Sequence, residues 1–318
     1  MAVYTHLGAE DLARLVGHYD VGELVSAKGI AEGVSNSNWL VETTQDRFIL
    51  TMYERRIDTA DLPFFLGLLD HLSSKNCPVP RTIHDRRGDA WRTVDGKAVA
   101  LIEFLPGVSP AAPSAAQAGA VGAALAQAHL AAADFPMERG DDLTPRITLR
   151  ILENCGTNAL ASIDPQLPAI LATGAAIVQD WPADLPRSII HSDLFPDNVL
   201  MLGERVTGMI DFYFACGGAM AYDLAVTHAA WCFDEAGRHY ARELGRALIA
   251  GYEKVRPLTA GERAALPLLA EGACLRFVAS RAQDWLETPV DALVRRKDPM
   301  DFVRRLEFYR SSGQSLFA

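Results

Sequence analysis

Paired cysteines are what this sequence most clearly lacks. Its five cysteines, Cys77, Cys155, Cys216, Cys232 and Cys274, form no Cys-x-x-Cys motif, and an odd number cannot all pair within one chain. They read as reduced thiols in the cytoplasm. Positive charge is scarce as well: 30 Lys and Arg stand against 40 Asp and Glu, a net charge of −10. The pI is near 5.3. A nucleic-acid or anionic-membrane partner would want a basic face, so neither is expected. The Arg295-Arg296-Lys297 cluster reads as a solvated helix end. No apolar run approaches the roughly 18 residues that a membrane span requires. Residues 1–20 carry Glu10 and Asp11 and have neither the basic region nor the apolar run of a signal peptide. Missing too are a Walker loop, a Gly-x-Gly-x-x-Gly loop, internal repeats and low-complexity tracts.

What is present is chain enough for two lobes: 318 residues, 49% hydrophobic and 22% charged, the profile of an ordinary globular enzyme. The organising stretch runs from Ile189 to Tyr213 and contains His191-Ser-Asp193-Leu-Phe-Pro-Asp197-Asn198 and then Asp211-Phe-Tyr213. Moving a phosphoryl group from ATP to a hydroxyl needs an anion near the hydroxyl proton and oxygen ligands that hold Mg²⁺ against the phosphates. His191, Asp193, Asn198 and Asp211 supply those types in that order. His-x-Asp-x-x-x-x-Asn matches the catalytic-loop spacing of protein kinases, with the Asp as base and the Asn on metal. Val199 to Leu202 and Val206 to Ile210 are apolar runs on either side of Gly203-Glu204-Arg205 and predict a hairpin. A hairpin sets Asn198 beside Asp211, as a shared cation requires. Singly, these are ordinary turn residues; their joint spacing carries the reading.

With Asp61-Leu-Pro-Phe-Phe-Leu-Gly-Leu-Leu69, Ile210-Asp-Phe-Tyr-Phe-Ala-Cys216, Tyr222-Asp-Leu-Ala225 and Ala230-Trp-Cys232, the stretch resembles the choline and aminoglycoside kinase-like superfamily. Within it, the chain is similar to the homoserine kinases of bacterial threonine biosynthesis over nearly its whole length. The resemblance implies an α+β, two-lobed protein kinase-like fold. Residues 1–105 would form a nucleotide-binding lobe with an antiparallel sheet, and residues 106–318 a mostly helical lobe with the catalytic loop and acceptor site. It implies ATP-dependent phosphorylation of L-homoserine to O-phospho-L-homoserine, with ATP and Mg²⁺ as cofactors. His191 and Asp193 would be catalytic, Asn198 and Asp211 metal ligands, and Asp223 a brace for the catalytic loop. A kinase for choline, ethanolamine or an aminoglycoside is the alternative within the superfamily. A nucleotide-binding pseudokinase scaffold is the alternative of another functional class. Oligomeric state is not readable.

In the N-terminal part, residues 8–18 predict an amphipathic helix, and residues 25–30, 38–43 and 47–53 predict strands. Between the first two strands, Gly33, Ser35, Asn36, Ser37 and Asn38 can make a plain hairpin loop; by the resemblance they form the nucleotide-covering loop. Thr51 stands where kinases carry the phosphate-binding lysine, and no Glu lies between Arg55 and Ile102 to pair with one. Phosphate contact passes either to Lys28, Arg55 or Arg56 with help from loop amides, or the chain is a degenerate binder; the carboxylates in place favour the first. Residues 61–75 predict a helix that Asp61 can cap. Glu103, Phe104 and Leu105 end the strand that begins at Lys97. They are an ordinary strand end or, by the resemblance, the hinge that binds adenine.

Helices are predicted at residues 114–133, 146–155, 167–179, 222–233, 235–254, 260–287 and 300–309, with Cys216-Gly-Gly-Ala as a turn. Homoserine is a zwitterion, so its pocket needs a cation for the carboxylate and acidic or aromatic groups for the ammonium. His228, Trp231 and Asp234 share one helix; Arg276, Arg281, Asp284 and Trp285 share another, each set near helical-face spacing. The same sets can instead be structural ion pairs and core tryptophans. Arg276 or Arg281 is favoured for the carboxylate.

Overall fold

The computed structural model describes residues 7–30, 36–54, 58–288 and 296–317. The chain opens with helix α1 (Ala9–Val16), then strands β1 (Leu24–Ile30), β2 (Asn36–Thr43) and β3 (Arg47–Tyr53), helix α2 (Leu62–Ser74), and strands β4 (Thr82–Ile83), β5 (Arg92–Val94) and β6 (Lys97–Glu103). The strands form one antiparallel sheet in the order β1-β2-β3-β6-β4, with β5 also on β6. Side chains alternate across a strand, so each face has its own cover. Phe48, Leu50 and Met52 of β3 join Trp39, Val41, Val99 and Leu101 beneath Leu12, Leu15 and Val16 of α1. The other face, with Tyr53, Ala98, Ala100 and Ile102, meets α2 and the main core of the molecule.

Then follow α3 (Ala115–Ala131), α4 (Pro145–Cys155), α5 (Thr157–Ile163), α6 (Ile170–Asp180) and strand β7 (Arg187–Ile190). Next come the hairpin β8 (Val199–Leu202) and β9 (Arg205–Met209), and strand β10 (Cys216–Ala219). Helices α7 (Met220–Trp231), α8 (Arg242–Val255), α9 (Ala260–Glu287) and α10 (Met300–Leu316) complete the chain. Every residue of α7 is buried, so it is the axle of the helical part. A helix buried all round has no polar face, and its Asp223, Thr227 and His228 are each hydrogen-bonded.

Several boundaries depart from the pattern-based expectation. Asn36, Ser37 and Asn38 lie on β2 rather than in a loop, with Asn36 opposite Tyr53 and Asn38 opposite Ile30. Cys216-Gly-Gly-Ala is strand β10, antiparallel to β7, not a turn. A Cβ on Gly218 would meet Ile190 Cδ1 at 2.3 Å, so the glycine permits an approach that its turn propensity disguises. Helix α8 starts at Arg242 rather than 235, because Asp234 Oδ1 accepts the Arg238 and His239 N–H groups and folds residues 234–239 into a turn. Asp61 does not cap α2 with its side chain; it takes Arg139 Nε at 2.8 Å instead, and Asp58 caps the short turn before it.

Candidate active site

Strand β7 delivers His191 and Ser192 into a sharp turn, where Ser192 adopts φ +67°. Such a conformation is strained for serine and persists only if its surroundings hold it. Asp223 does so from α7: its Oδ2 accepts the His191 N–H and its Oδ1 the Ser192 N–H, both at 2.7 Å. His129 of α3 donates to the same carboxylate at 2.9 Å and pairs through Nδ1 with the Tyr252 hydroxyl at 2.8 Å. Burial works to raise the Asp223 carboxyl, but the His129 hydrogen bond and charge outweigh it and hold the group below the usual range. Arg276 of α9, itself buried, donates Nη1 to the Ser192 carbonyl and, at 3.1 Å, to its hydroxyl.

Beyond this turn lies the loop that carries Asp193. Asn198 donates Nδ2 to the Asp193 carbonyl at 2.8 Å, and the Ile210 N–H reaches the Asn198 carbonyl at 3.0 Å as the hairpin closes. Asp193, Asn198 and Asp211 are thereby drawn to one end of the β8–β9 hairpin. His191 ties the ends together. Its Nε2 faces the Ile210 carbonyl at 2.9 Å, which only accepts, so Nε2 carries the proton and Nδ1 accepts the Asp193 N–H at 3.2 Å. Burial pulls its pKa down, keeping the ring neutral. Neither ring nitrogen is left for a substrate, so the expected catalytic part for His191 is corrected to bracing the backbone on either side of the site.

Burial pushes the half-buried Asp193 carboxyl up to about 7 against the pull of Arg276, whose Nη2 lies 3.7 Å from Oδ1. Asp211 opens toward solvent at the cleft, yet the surrounding protein and Asp197 push it up to about 6. Trp231 Nε1 donates to the Leu194 carbonyl at 2.9 Å and anchors the loop from below.

On the sheet side, the position where kinases carry a lysine is neutral here. Thr51 Oγ1 donates to Asn38 Oδ1 at 2.8 Å, and the Tyr213 hydroxyl donates to that of Tyr53 at 3.2 Å. Tyr213 also meets Phe65 of α2 edge-on, with ring centroids 5.7 Å apart. Aromatic contact thus links α2 to the segment after Asp211. Ser37 is buried and donates to Glu54 at 2.6 Å. Gly33, Ser35, Arg55 and Arg56 lie outside the described residues; Lys28 is exposed on β1. Glu103 takes the Arg81 N–H at 3.2 Å, Phe104 lies under the Arg47 guanidinium, and Leu105 packs on Gly208 of β9. Gly107, at φ +148°, lets the chain pass the hairpin, where a Cβ would meet Met201 N at 2.9 Å.

A cavity of about 370 Å³ adjoins Phe195 and Pro196 of the loop that carries Asp193. Trp231 and Arg281 line it; His228, Arg276 and Trp285 do not. His228 is sealed among Tyr309, Tyr240 and Phe317. Arg276 is spent on Ser192, and Trp285 lies beneath Arg296. Arg281 is itself paired with Asp301 at 2.8 Å and donates to the Asp298 carbonyl. The wall also includes Glu235, Arg305, Arg296 and Lys297. Lys297 is exposed, as a solvated cluster would be, Arg296 lies over Trp285, and Arg295 lies outside the described residues; the packing of α10 on α9 sets Arg296 and Lys297 at the cavity. Nothing in the local pattern distinguishes them.

Among the described residues no helix is long and apolar enough to cross a membrane. Residues 26–258 match the model of the phosphotransferase enzyme family. A homoserine kinase of Gluconacetobacter diazotrophicus is 50% identical, with 98% of each chain covered. One from Methylobacterium radiotolerans is 47% identical over 98% of this chain and 97% of its own. Among solved structures, a spectinomycin phosphotransferase in complex with ADP and spectinomycin superposes with a TM-score of 0.75 at 14% identity, covering 98% of this chain and 100% of that one. That likeness concerns the two-lobed fold, and the relatives concern the branch. The chain belongs to the phosphotransferase enzyme family, in the branch of the homoserine kinases.

Proposed function

We propose that this protein transfers the γ-phosphoryl group of ATP to the hydroxyl of L-homoserine, giving O-phospho-L-homoserine and ADP. The observation that carries the reading is the hydrogen-bonded closure of the hairpin, Ile210 N–H to Asn198 carbonyl at 3.0 Å, which gathers Asp193, Asn198 and Asp211. The acceptor oxygen attacks phosphorus as the bond to the β–γ bridging oxygen breaks, and Asp193 orients the hydroxyl and accepts its proton. Arg276 and Asp223 keep the Asp193 turn in place, while His191 fixes both ends of the loop.

The donor set fits Mg²⁺. Asn198 turns Nδ2 toward Asp193, leaving Oδ1 as its acceptor end, and Asp211 is a carboxylate short of compensating charge. No group of three or more His, Cys, Asp or Glu among the described residues makes an all-protein cage. One or two protein ligands completed by phosphates and water is how Mg²⁺ is commonly held. Bound there, the ion would neutralise phosphate charge.

We assign residues 1–105 to the nucleotide lobe, with Glu103, Phe104 and Leu105 at the adenine and Asn36, Ser37 and Asn38 near the phosphates, and residues 106–318 to the acceptor lobe. A cytoplasmic setting accords with five free cysteines. The cavity wall carries four basic side chains and two acidic ones. That balance disfavours a polycationic aminoglycoside and leaves choline, which has no carboxylate, without use for the cations. The neutral Thr51 is the feature a pseudokinase would share, but the base and metal donors argue for turnover.

The test is ADP release from Mg-ATP with L-homoserine, choline, L-serine and kanamycin offered in parallel. Turnover with L-homoserine alone is expected. Another preferred acceptor would discard the substrate, and silence with all four despite ATP binding would discard the activity.

A further inference from the structure

The charges around the cavity do not cancel evenly. Arg281 is paired with Asp301, which Arg304 also holds at 2.7 Å. Arg305 spends its guanidinium on the carbonyls of Ala229, Asp234 and Glu235, at 3.0, 2.8 and 3.1 Å. Arg296 lies over Trp285, 5.6 Å from the ring centre, and donates to the Thr288 carbonyl. Two wall residues remain, Lys297 and Glu235, whose charged ends have no ion-pair partner within 4 Å among the described residues.

Both are set on anchored backbone. Glu235 is held by Arg305 through its own carbonyl. Lys297 precedes Asp298, whose side chain accepts the Met300 N–H at 2.9 Å at the start of α10 and whose carbonyl accepts Arg281. The cavity between them opens on the loop that carries Asp193, at Phe195 and Pro196.

We propose that Lys297 and Glu235 form the zwitterion clamp of the acceptor site, Lys297 taking the α-carboxylate and Glu235 the α-ammonium of the amino-acid substrate. This rests on the homoserine kinase reading and extends it. A single cation and a single anion, separately presented and otherwise unpaired, fit a small zwitterion and suit neither an amine nor an acid alone. The positive field of Lys297 also reaches Asp193, consistent with a substrate that spans from one to the other. Arg276 and Arg281 serve structure instead.

The experiment compares wild type, Lys297→Met, Lys297→Arg and Glu235→Gln in Mg-ATP turnover with L-homoserine, 3-aminopropan-1-ol, which lacks the carboxylate, and 4-hydroxybutanoate, which lacks the ammonium. Where a truncated alcohol turns over too slowly, its inhibition constant against L-homoserine makes the same comparison. Lys297→Met should lose about 10- to 100-fold in kcat/KM for L-homoserine, mostly through KM, with 3-aminopropan-1-ol affected less than about twofold. Lys297→Arg should recover part of the loss. Glu235→Gln should show a similar loss for L-homoserine and spare 4-hydroxybutanoate. Both side chains are exposed, so the thermal midpoint should not move. A raised KM for ATP, or equal losses on truncated and full substrates, would overturn the clamp while leaving the homoserine reading intact. Absence of wild-type turnover with L-homoserine would overturn both.

Discussion

The Asp223 carboxylate binds the backbone N–H of His191 at 2.7 Å from a position with no solvent exposure. It also serves Ser192 and His129, so one buried charge fixes the entry to the loop that carries Asp193. Asp223→Asn replaces an acceptor-only group with one that must present N–H to a donor. Urea unfolding should register a loss of about 3–5 kcal/mol, the range for a buried pair left unmatched. The folded-state pKa of Asp223 is depressed, so its stabilisation holds above the usual carboxylate range and disappears as pH falls through the folded value. The variant should therefore have a flatter stability profile below about pH 4, and a lower kcat at neutral pH.

Arg276 touches the site from behind. It pins the Ser192 carbonyl and hydroxyl, and Ser192 is a non-glycine at φ +67°. A residue that shapes the loop lowers kcat when removed; one that holds the acceptor carboxylate raises KM. Arg276→Leu should cut kcat by on the order of a hundredfold with KM for both substrates changed only a few-fold. A selective rise in KM for L-homoserine would return Arg276 to the acceptor.

The uneven legibility of the site follows from this arrangement. Asp193, Asn198 and Asp211 are readable because one hairpin brings them together, and hairpins are encoded locally. Asp223 is readable only by resemblance, since its partners come from α3 and β7. Lys297 is not readable at all: the segment before α10 reaches the cavity through the packing of α10 on α9, which no local pattern encodes. His228 misleads for the opposite reason. Its spacing to Trp231 marks a common face, but α7 is buried on every side, so a face says nothing about what it meets. The glycines of β10 mislead likewise, their strand being fixed by the close approach to Ile190.

Glycines also decide how α3 meets α8. A Cβ on Gly122 would fall 2.0 Å from the Leu248 carbonyl, and one on Gly251 equally near that of Gly119. Alanine normally favours a helix by about 1 kcal/mol over glycine. Here backbone blocks it, so Gly122→Ala and Gly251→Ala should each lower stability by roughly 1–3 kcal/mol or more. Gly67 in α2 is the control with opposite sign. Its Cβ would meet nothing nearer than Phe135 Cζ at 3.7 Å, so Gly67→Ala should raise the thermal midpoint.

His228 makes the acid limb of stability testable away from Asp193 and Asp211. It is buried, with Nδ1 2.5 Å from the Tyr309 hydroxyl and Nε2 3.3 Å from that of Tyr240. Burial pulls its pKa down to about 3. In the unfolded chain an ordinary histidine titrates near 6.5, so between about pH 6.5 and 3 the unfolded state binds a proton that the folded state refuses. Stability must fall as pH falls through that window, by up to about 1.4 kcal/mol per pH unit for one proton. His228→Gln removes the titration and keeps a polar side chain. The variant should be less stable than wild type at pH 7, where the two tyrosine contacts favour the imidazole, and the gap should close or reverse by about pH 4. Urea midpoints at intervals across the range would measure it. A gap constant with pH would mean that His228 protonates as readily folded as unfolded, which its enclosure by Tyr240, Tyr309 and Phe317 forbids.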